Sequence, residues 1–120
     1  MRSETALFID MLKFARRVAM KVSDCTFDRF ERDDSLHLST AHLLQMIGEA
    51  ARQVPAETRT RYPSLPWRQI VGMRHIIVHE YHRLELEPVW QTALEDIPVL
   101  IALLEPEFGP ILDSTERPSP

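Results

Sequence analysis

Apolar positions recur at three- and four-residue steps along nearly the whole chain, the spacing of one buried face on an α-helix. Phe8, Met11, Leu12, Ala15, Val18, Ala19 and Val22 draw the first stripe, and Ser3 is placed to cap its start. A polar break follows, and Thr26 then introduces a short helix carrying Phe27 and Phe30. Leu43, Met46, Ile47, Ala50 and Val54 mark a second long helix from about Ser39 to Val54. Gly48 weakens that helix locally but lets another helix come close. Pro55 ends it, and the connection from there to Pro66 includes Pro63. Pro66 suits the first turn of the next helix, which Trp67, Ile70, Val71, Met73, Ile76, Ile77 and Val78 continue. A last helix is expected from about Leu86, with Val89, Trp90, Ala93, Leu94, Ile97, Leu100, Ile101 and Leu104 on its stripe. Pro98 falls inside it and is expected to kink it, because proline lacks a donor and crowds the carbonyl of Leu94. Beyond Leu104, Pro106, Pro110, Pro118 and Pro120 predict a tail that frays after Leu112. No segment shows the two-residue alternation of a strand. The pattern predicts an all-α antiparallel bundle of four to five helices over residues 1–112, with a flexible tail over 113–120.

The length of 120 residues is that of one domain, too short for a two-domain enzyme with a large cofactor fold. At 44% hydrophobic and 27% charged, the chain is globular rather than disordered. It contains neither of the glycine-rich phosphate-loop patterns. Cys25 is the only cysteine, which excludes an internal disulfide and a multi-cysteine zinc site and fits a reducing cytoplasm. No secretory leader is expected, since Asp10, Lys13, Arg16 and Arg17 interrupt the apolar runs near the start. The longest apolar stretch is far short of a membrane span.

The net charge of −4 is unevenly spread. Residues 52–83 carry six arginines against Glu57 and Glu80, together with His75, His79 and His82. Residues 84–120 carry eight acidic side chains against Arg117 alone. The chain as a whole is no general polyanion binder, but its middle third can meet phosphate locally. A solvated arginine-rich surface accounts for the same charges.

The chemistry concentrates in Gly72-Met73-Arg74-His75-Ile76-Ile77-Val78-His79-Glu80-Tyr81-His82. On a continuous helix Arg74 and Tyr81 fall within about 20° of one line, whereas Arg74 and His79 stand about 140° apart. A site within one chain is therefore awkward, and a second protomer can bring complementary groups together. One reading is a zinc site on His75, His79 and His82, although the pattern is not HExxH and no carboxylate is clearly placed behind it. A second is metal-free phosphodiester chemistry. Imidazole moves protons near neutral pH, and guanidinium neutralises charge developing on a phosphate. A third is structural: Arg74, His79 and Tyr81 cap a helix end and pair with the acidic last helix.

The segment Arg74-x4-His79-x-Tyr81 resembles the Rx4HxY motif of HepT-like proteins in the HEPN superfamily. Ile47-Gly48-Glu49-Ala50-Ala51 resembles that family's IGEAA segment, and Pro66 to Arg74 its PWxxIxGMR lead-in. The stretch with Val89-Trp90 and Glu95-Asp96-Ile97-Pro98 is similar to its final helix. The resemblance spans roughly Met11 to Glu105. One departure is His75, where the family often has Asn or Asp after the motif arginine; it can still hydrogen-bond and can assist His79.

The resemblance implies a helical bundle that forms a homodimer, with the motif residues of both protomers lining one cleft. It implies a cytoplasmic endoribonuclease toxin of a toxin–antitoxin pair, acting on RNA without a cofactor or metal. Arg74 and His79 would be the catalytic pair. An MntA-like minimal nucleotidyltransferase, the antitoxin, would silence it by transferring AMP to Tyr81. The alternative is a non-catalytic nucleotide-binding or scaffolding partner of such a nucleotidyltransferase, with Tyr81 as the AMP acceptor and no membrane association in either case.

Overall fold

The computed structural model describes residues 3–79 and 85–115, with side chains for 3–75 and 85–115. Seven α-helices and one π-helical segment are found in these residues, and among them there is no strand. They are α1 (Glu4–Val22), α2 (Phe27–Arg32), α3 (Asp34–Arg52), α4 (Ala56–Arg59), α5 (Trp67–His79), α6 (Leu86–Gln91) and α7 (Ile97–Thr115). The π segment, Thr92–Asp96, joins α6 to α7 without a break. Four long helical stretches thus form the bundle, with α2 and α4 as short connectors. None of the described helices is long and apolar enough to cross a membrane.

Helix α1 lies at the centre. Its buried stripe of Leu7, Phe8, Met11, Leu12, Ala15, Val18 and Val22 packs against α3 on one side and α7 on the other. Ser3 accepts a hydrogen bond from the Ala6 amide and so caps it as expected. Helix α3 in turn carries α5 on its far side. The core therefore runs as a layer from α7 through α1 and α3 to α5.

Helix α3 begins five residues before the expected Ser39. Asp33 is the reason: its carboxylate accepts from the Leu36 amide while its own amide donates to the Arg29 carbonyl. One residue thereby closes α2 and opens α3. The added turn is held from within, because buried His37 donates from Nδ1 to the Phe30 carbonyl at 2.9 Å. The polar character of Asp33-Asp34-Ser35 hid this start from a reading based on apolar spacing alone.

The last helix also departs from expectation. Pro98 lies inside it as expected, and the backbone leaves α geometry just before it in the π turn, where the Ile97 amide reaches back to the Thr92 carbonyl. Helix α7 then passes through Pro106 and Pro110 to Thr115, three residues beyond Leu112. Pro98, Pro106 and Pro110 are all exposed, so the carbonyls they leave unbonded sit on the solvent side, where water can serve them. The opposite face keeps the helix in place. Leu104, Phe108 and Leu112 are buried at four-residue steps, and Phe108 stacks on Phe8 at 4.9 Å. Arg16 of α1 grips Glu105 through Nε and Nη2 at 2.6 and 2.8 Å and Asp113 through Nη1 at 2.6 Å.

The connection from α3 to α5 sets where α5 starts. Arg59 donates to the carbonyls of Ala51 and Val54 at the end of α3 and lies over the Trp67 ring. Trp67 donates to the Tyr62 carbonyl at 3.0 Å, and Tyr62 donates to Glu107 of α7. Helix α5 then crosses α3 at Gly48. A β-carbon there would stand 2.8 Å from the Arg74 amide nitrogen and 3.2 Å from the Ile70 carbonyl oxygen. Those are backbone atoms and cannot swing aside.

Gly48→Ala is expected to destabilise the fold by about 1–3 kcal/mol through overpacking. Gly72→Ala, where an added methyl group meets nothing within 4 Å, is expected to stabilise it by about 0.5–1 kcal/mol through helix propensity. Urea unfolding of the two variants beside the wild type checks this pair of opposite signs.

Candidate active site

Met73, buried in the core, and Ile70, fully enclosed, hold the inner face of α5 against the bundle. Arg74 follows on the flank that faces α3. Because Gly48 lets the two backbones close up, the Arg74 side chain leaves along α3 and meets the next residue, Glu49. Arg74 Nε donates to Glu49 Oε1 at 2.5 Å. The second carboxylate oxygen, Oε2, accepts from Arg52 Nη2 at 3.3 Å, one turn further along α3. One carboxylate thus joins two guanidinium groups.

The pairing of Arg74 with Glu49 bears on the third, structural reading of the motif. Arg74 does not pair with the acidic last helix; the acids Glu105, Glu107 and Asp113 are taken by Arg16 and Tyr62. It also identifies a residue to which the sequence reading gave no role. Glu49 lay within the quoted Ile47-Gly48-Glu49-Ala50-Ala51 segment, yet nothing in its spacing pointed to a residue 25 positions away.

Among the described residues the Arg74 guanidinium is tied through Nε, and its two terminal nitrogens form the edge that engages a phosphate with two parallel hydrogen bonds. The hydrogen bond from Arg74 holds the Glu49 carboxyl below the usual glutamate range, with Arg52 helping and partial burial opposing. The pair is 31% and 38% exposed, so solvent screens it and its contribution to stability is small.

The remaining site positions are distributed as follows. His75 is exposed on α5. Position 79 is the last described position of α5, and the helix is continuous from Trp67 to it. Positions 74 and 79 therefore stand about 140° apart around the axis, and α5 by itself does not gather them on one face. The side chain of His79, and Glu80, Tyr81 and His82 altogether, lie outside the described residues. The three-histidine alternative rests on these positions. Among the described residues, no three His, Cys, Asp or Glu side chains converge on a metal-sized site.

The other arginines of the basic middle segment are largely committed. Arg59 serves the end of α3, Arg61 pairs with Glu4 at 3.1 Å, and Arg52 shares Glu49. Arg68 is exposed on α5.

A sequence profile for the family described as Ribonuclease HepT-like matches residues 11–106, which include Glu49, Arg74 and His79. A protein of Methanocaldococcus jannaschii named as a candidate RNase is 27% identical over 116 residues, 97% of either chain. A second from that organism, named likewise, is 29% identical over 81% of this chain and 89% of its own. A protein of Thermococcus cleftensis named as a candidate ribonuclease HepT is 32% identical over 62% of this chain and 67% of its own. No solved structure matches the chain.

The sign of the Glu49 shift fixes its pH behaviour. A depressed carboxyl contributes fully above the ordinary glutamate value, and the contribution is lost as pH falls through the lower folded-state value. A carbon-13 NMR titration is expected to show Glu49 titrating below an ordinary glutamate. In Arg74→Ala its midpoint is expected to move up.

Proposed function

Since the chain belongs to the ribonuclease HepT-like family, we propose that it is an endoribonuclease toxin that cuts RNA without a metal, with Arg74 and His79 as its catalytic pair. The observation that supports this reading is the presentation of Arg74: it stands on α5, tied to Glu49 through Nε rather than through the two terminal nitrogens that would meet a phosphate. Arg74 binds the scissile phosphate and neutralises the charge that builds on its oxygens. His79 transfers protons. Internal attack needs the ribose 2′-hydroxyl to lose a proton as its oxygen bonds to phosphorus. The bond from phosphorus to the 5′-oxygen breaks, and that oxygen takes up a proton. The products are a 2′,3′-cyclic phosphate and a free 5′-hydroxyl.

The 140° offset between positions 74 and 79 favours a homodimer in which both protomers line the cleft. One His79 then acts as base and its symmetry mate as acid. His75, exposed one residue after Arg74, assists His79 on this reading.

Control falls to Tyr81. An MntA-like nucleotidyltransferase antitoxin transfers AMP from ATP to the phenol: the Tyr81 oxygen bonds to the α-phosphorus and pyrophosphate leaves. On a helix continued through position 81, seven residues on from Arg74, the adduct adds negative charge and bulk on the face of Arg74 and so excludes RNA. The chain acts in the cytoplasm on this reading.

RNA cleavage by wild-type protein, shown by intact mass to be free of AMP, is expected to persist in excess EDTA. It is expected to fall by about 10²–10³ in Arg74→Ala, on the scale of a lost transition-state donor. His79→Ala is expected to abolish it while keeping fold and assembly. A wild type that cleaves nothing yet binds the nucleotidyltransferase points to the scaffold alternative. Tyr81→Phe is expected to cleave RNA near the wild-type rate and to escape silencing by the nucleotidyltransferase and ATP. A Tyr81→Phe protein that is still silenced and gains the mass of AMP overturns the assignment of the modified residue.

A further inference from the structure

We propose that Glu49 is a positioning residue for Arg74, holding its guanidinium so that the two terminal nitrogens form a preset fork for an RNA phosphate; this rests on reading Arg74 as the phosphate-binding group. Three observations carry it. The bond from Arg74 Nε to Glu49 is short, 2.5 Å, and engages the one guanidinium nitrogen that a fork facing a phosphate end-on does not use. The backbone beneath it is fixed, because Gly48, the residue before Glu49, lies against the Arg74 backbone itself. The other carboxylate oxygen is held by Arg52, so the acceptor is anchored at both ends of the oxygen pair.

The physical effect is preorganisation. An arginine side chain has many rotamers, and an unrestrained one loses that freedom when it binds its ligand. Here Glu49 imposes the loss on folding. At the observed exposure the ion pair adds little to stability, so its consequence lies in geometry. A carboxylate beside a phosphate site also carries a cost in repulsion. Arg52 offsets it, since Glu49 with Arg52 and Arg74 leaves one net positive charge. A competing view makes Glu49 a latch that occupies Arg74 until RNA displaces it. The two views predict opposite signs, because removing a latch tightens RNA binding and removing a positioning group weakens it.

Glu49 can be replaced without opening the core. It is half-exposed and borders a groove of about 320 Å³ between α1 and α3. Three substitutions separate shape from charge. Glu49→Gln keeps an oxygen acceptor at the same reach and loses the charge. Glu49→Asp keeps the charge and withdraws the acceptor by one methylene. Glu49→Ala removes both.

The test uses the full chain and a short single-stranded RNA with 2′-O-methyl riboses, which cannot undergo internal attack, with binding read by fluorescence anisotropy. Glu49→Ala and Glu49→Asp are each expected to bind about tenfold more weakly than wild type. Glu49→Gln is expected to keep most of the affinity. On an Arg74→Ala background, Glu49→Ala is expected to cost nothing more, because Glu49 acts through Arg74. Thermal melts establish that each variant is folded, and the Gln and Asp pair decides the matter if the Ala variant is not. Wild-type or tighter binding by Glu49→Asp overturns the proposal. So does a Glu49→Ala loss that adds in full to that of Arg74→Ala, or an RNA that the wild type does not bind. The ribonuclease reading fails separately: a protein that shows this coupling but leaves natural RNA uncut keeps the fork and loses the nuclease.

Discussion

Gly48 has no side chain, and the backbone of α5 occupies the space a β-carbon would need. This contact is the constraint on which the site depends. Helices normally stand apart by the thickness of their side chains. At Gly48 that spacer is absent, and the Arg74 backbone lies directly on α3. An arginine placed so close has its direction chosen for it, and the direction leads to Glu49. Two neighbouring residues on α3 thus act together. Gly48 admits the helix, and Glu49 takes hold of the side chain it brings.

The rest of the bundle serves to keep that crossing in register. Buried side chains fix α1 between α3 and α7. The aromatic group of Phe8, Tyr62 and Phe108 ties the connection before α5 to α1 and α7. Arg59 serves the end of α3 and also stacks on Trp67, at the start of α5. Polar groups act similarly at the helix ends, where Asp33 and His37 join α2 to α3. The charge pattern of the chain has a matching explanation. Part of each charged third is spent on internal ties: Arg59 and Arg61 in the basic middle third, and Glu105, Glu107 and Asp113 in the acidic last third. Arg68 and the Arg74 fork are the exceptions on α5, and they stand close to the motif that the family match covers.

Legibility followed from which interactions are local. The stripes of α1, α3 and α5 were readable because burial imposes the helical repeat on neighbouring residues. The start of α3 was missed because a cap is a hydrogen bond from a polar side chain, and apolar spacing carries no trace of it. The end of the last helix was misjudged because proline's cost depends on what surrounds it. With its lost bonds facing water and a π turn before it, proline was tolerated where the local rule forbids it.

The candidate site divides along the same line. Arg74, His75, His79 and Tyr81 were named from the sequence alone, since their identity and spacing are covalent facts of the chain. The sequence also determined that helical geometry separates positions 74 and 79 around the axis, because the turn angle is a property of the backbone. Glu49 could not be found that way. Its partner is 25 residues distant, and only the packing of α5 onto Gly48 brings the two together. Periodicity reports which face of a helix is buried. It does not report which residue of another helix lies opposite, and that was decided by the tertiary structure.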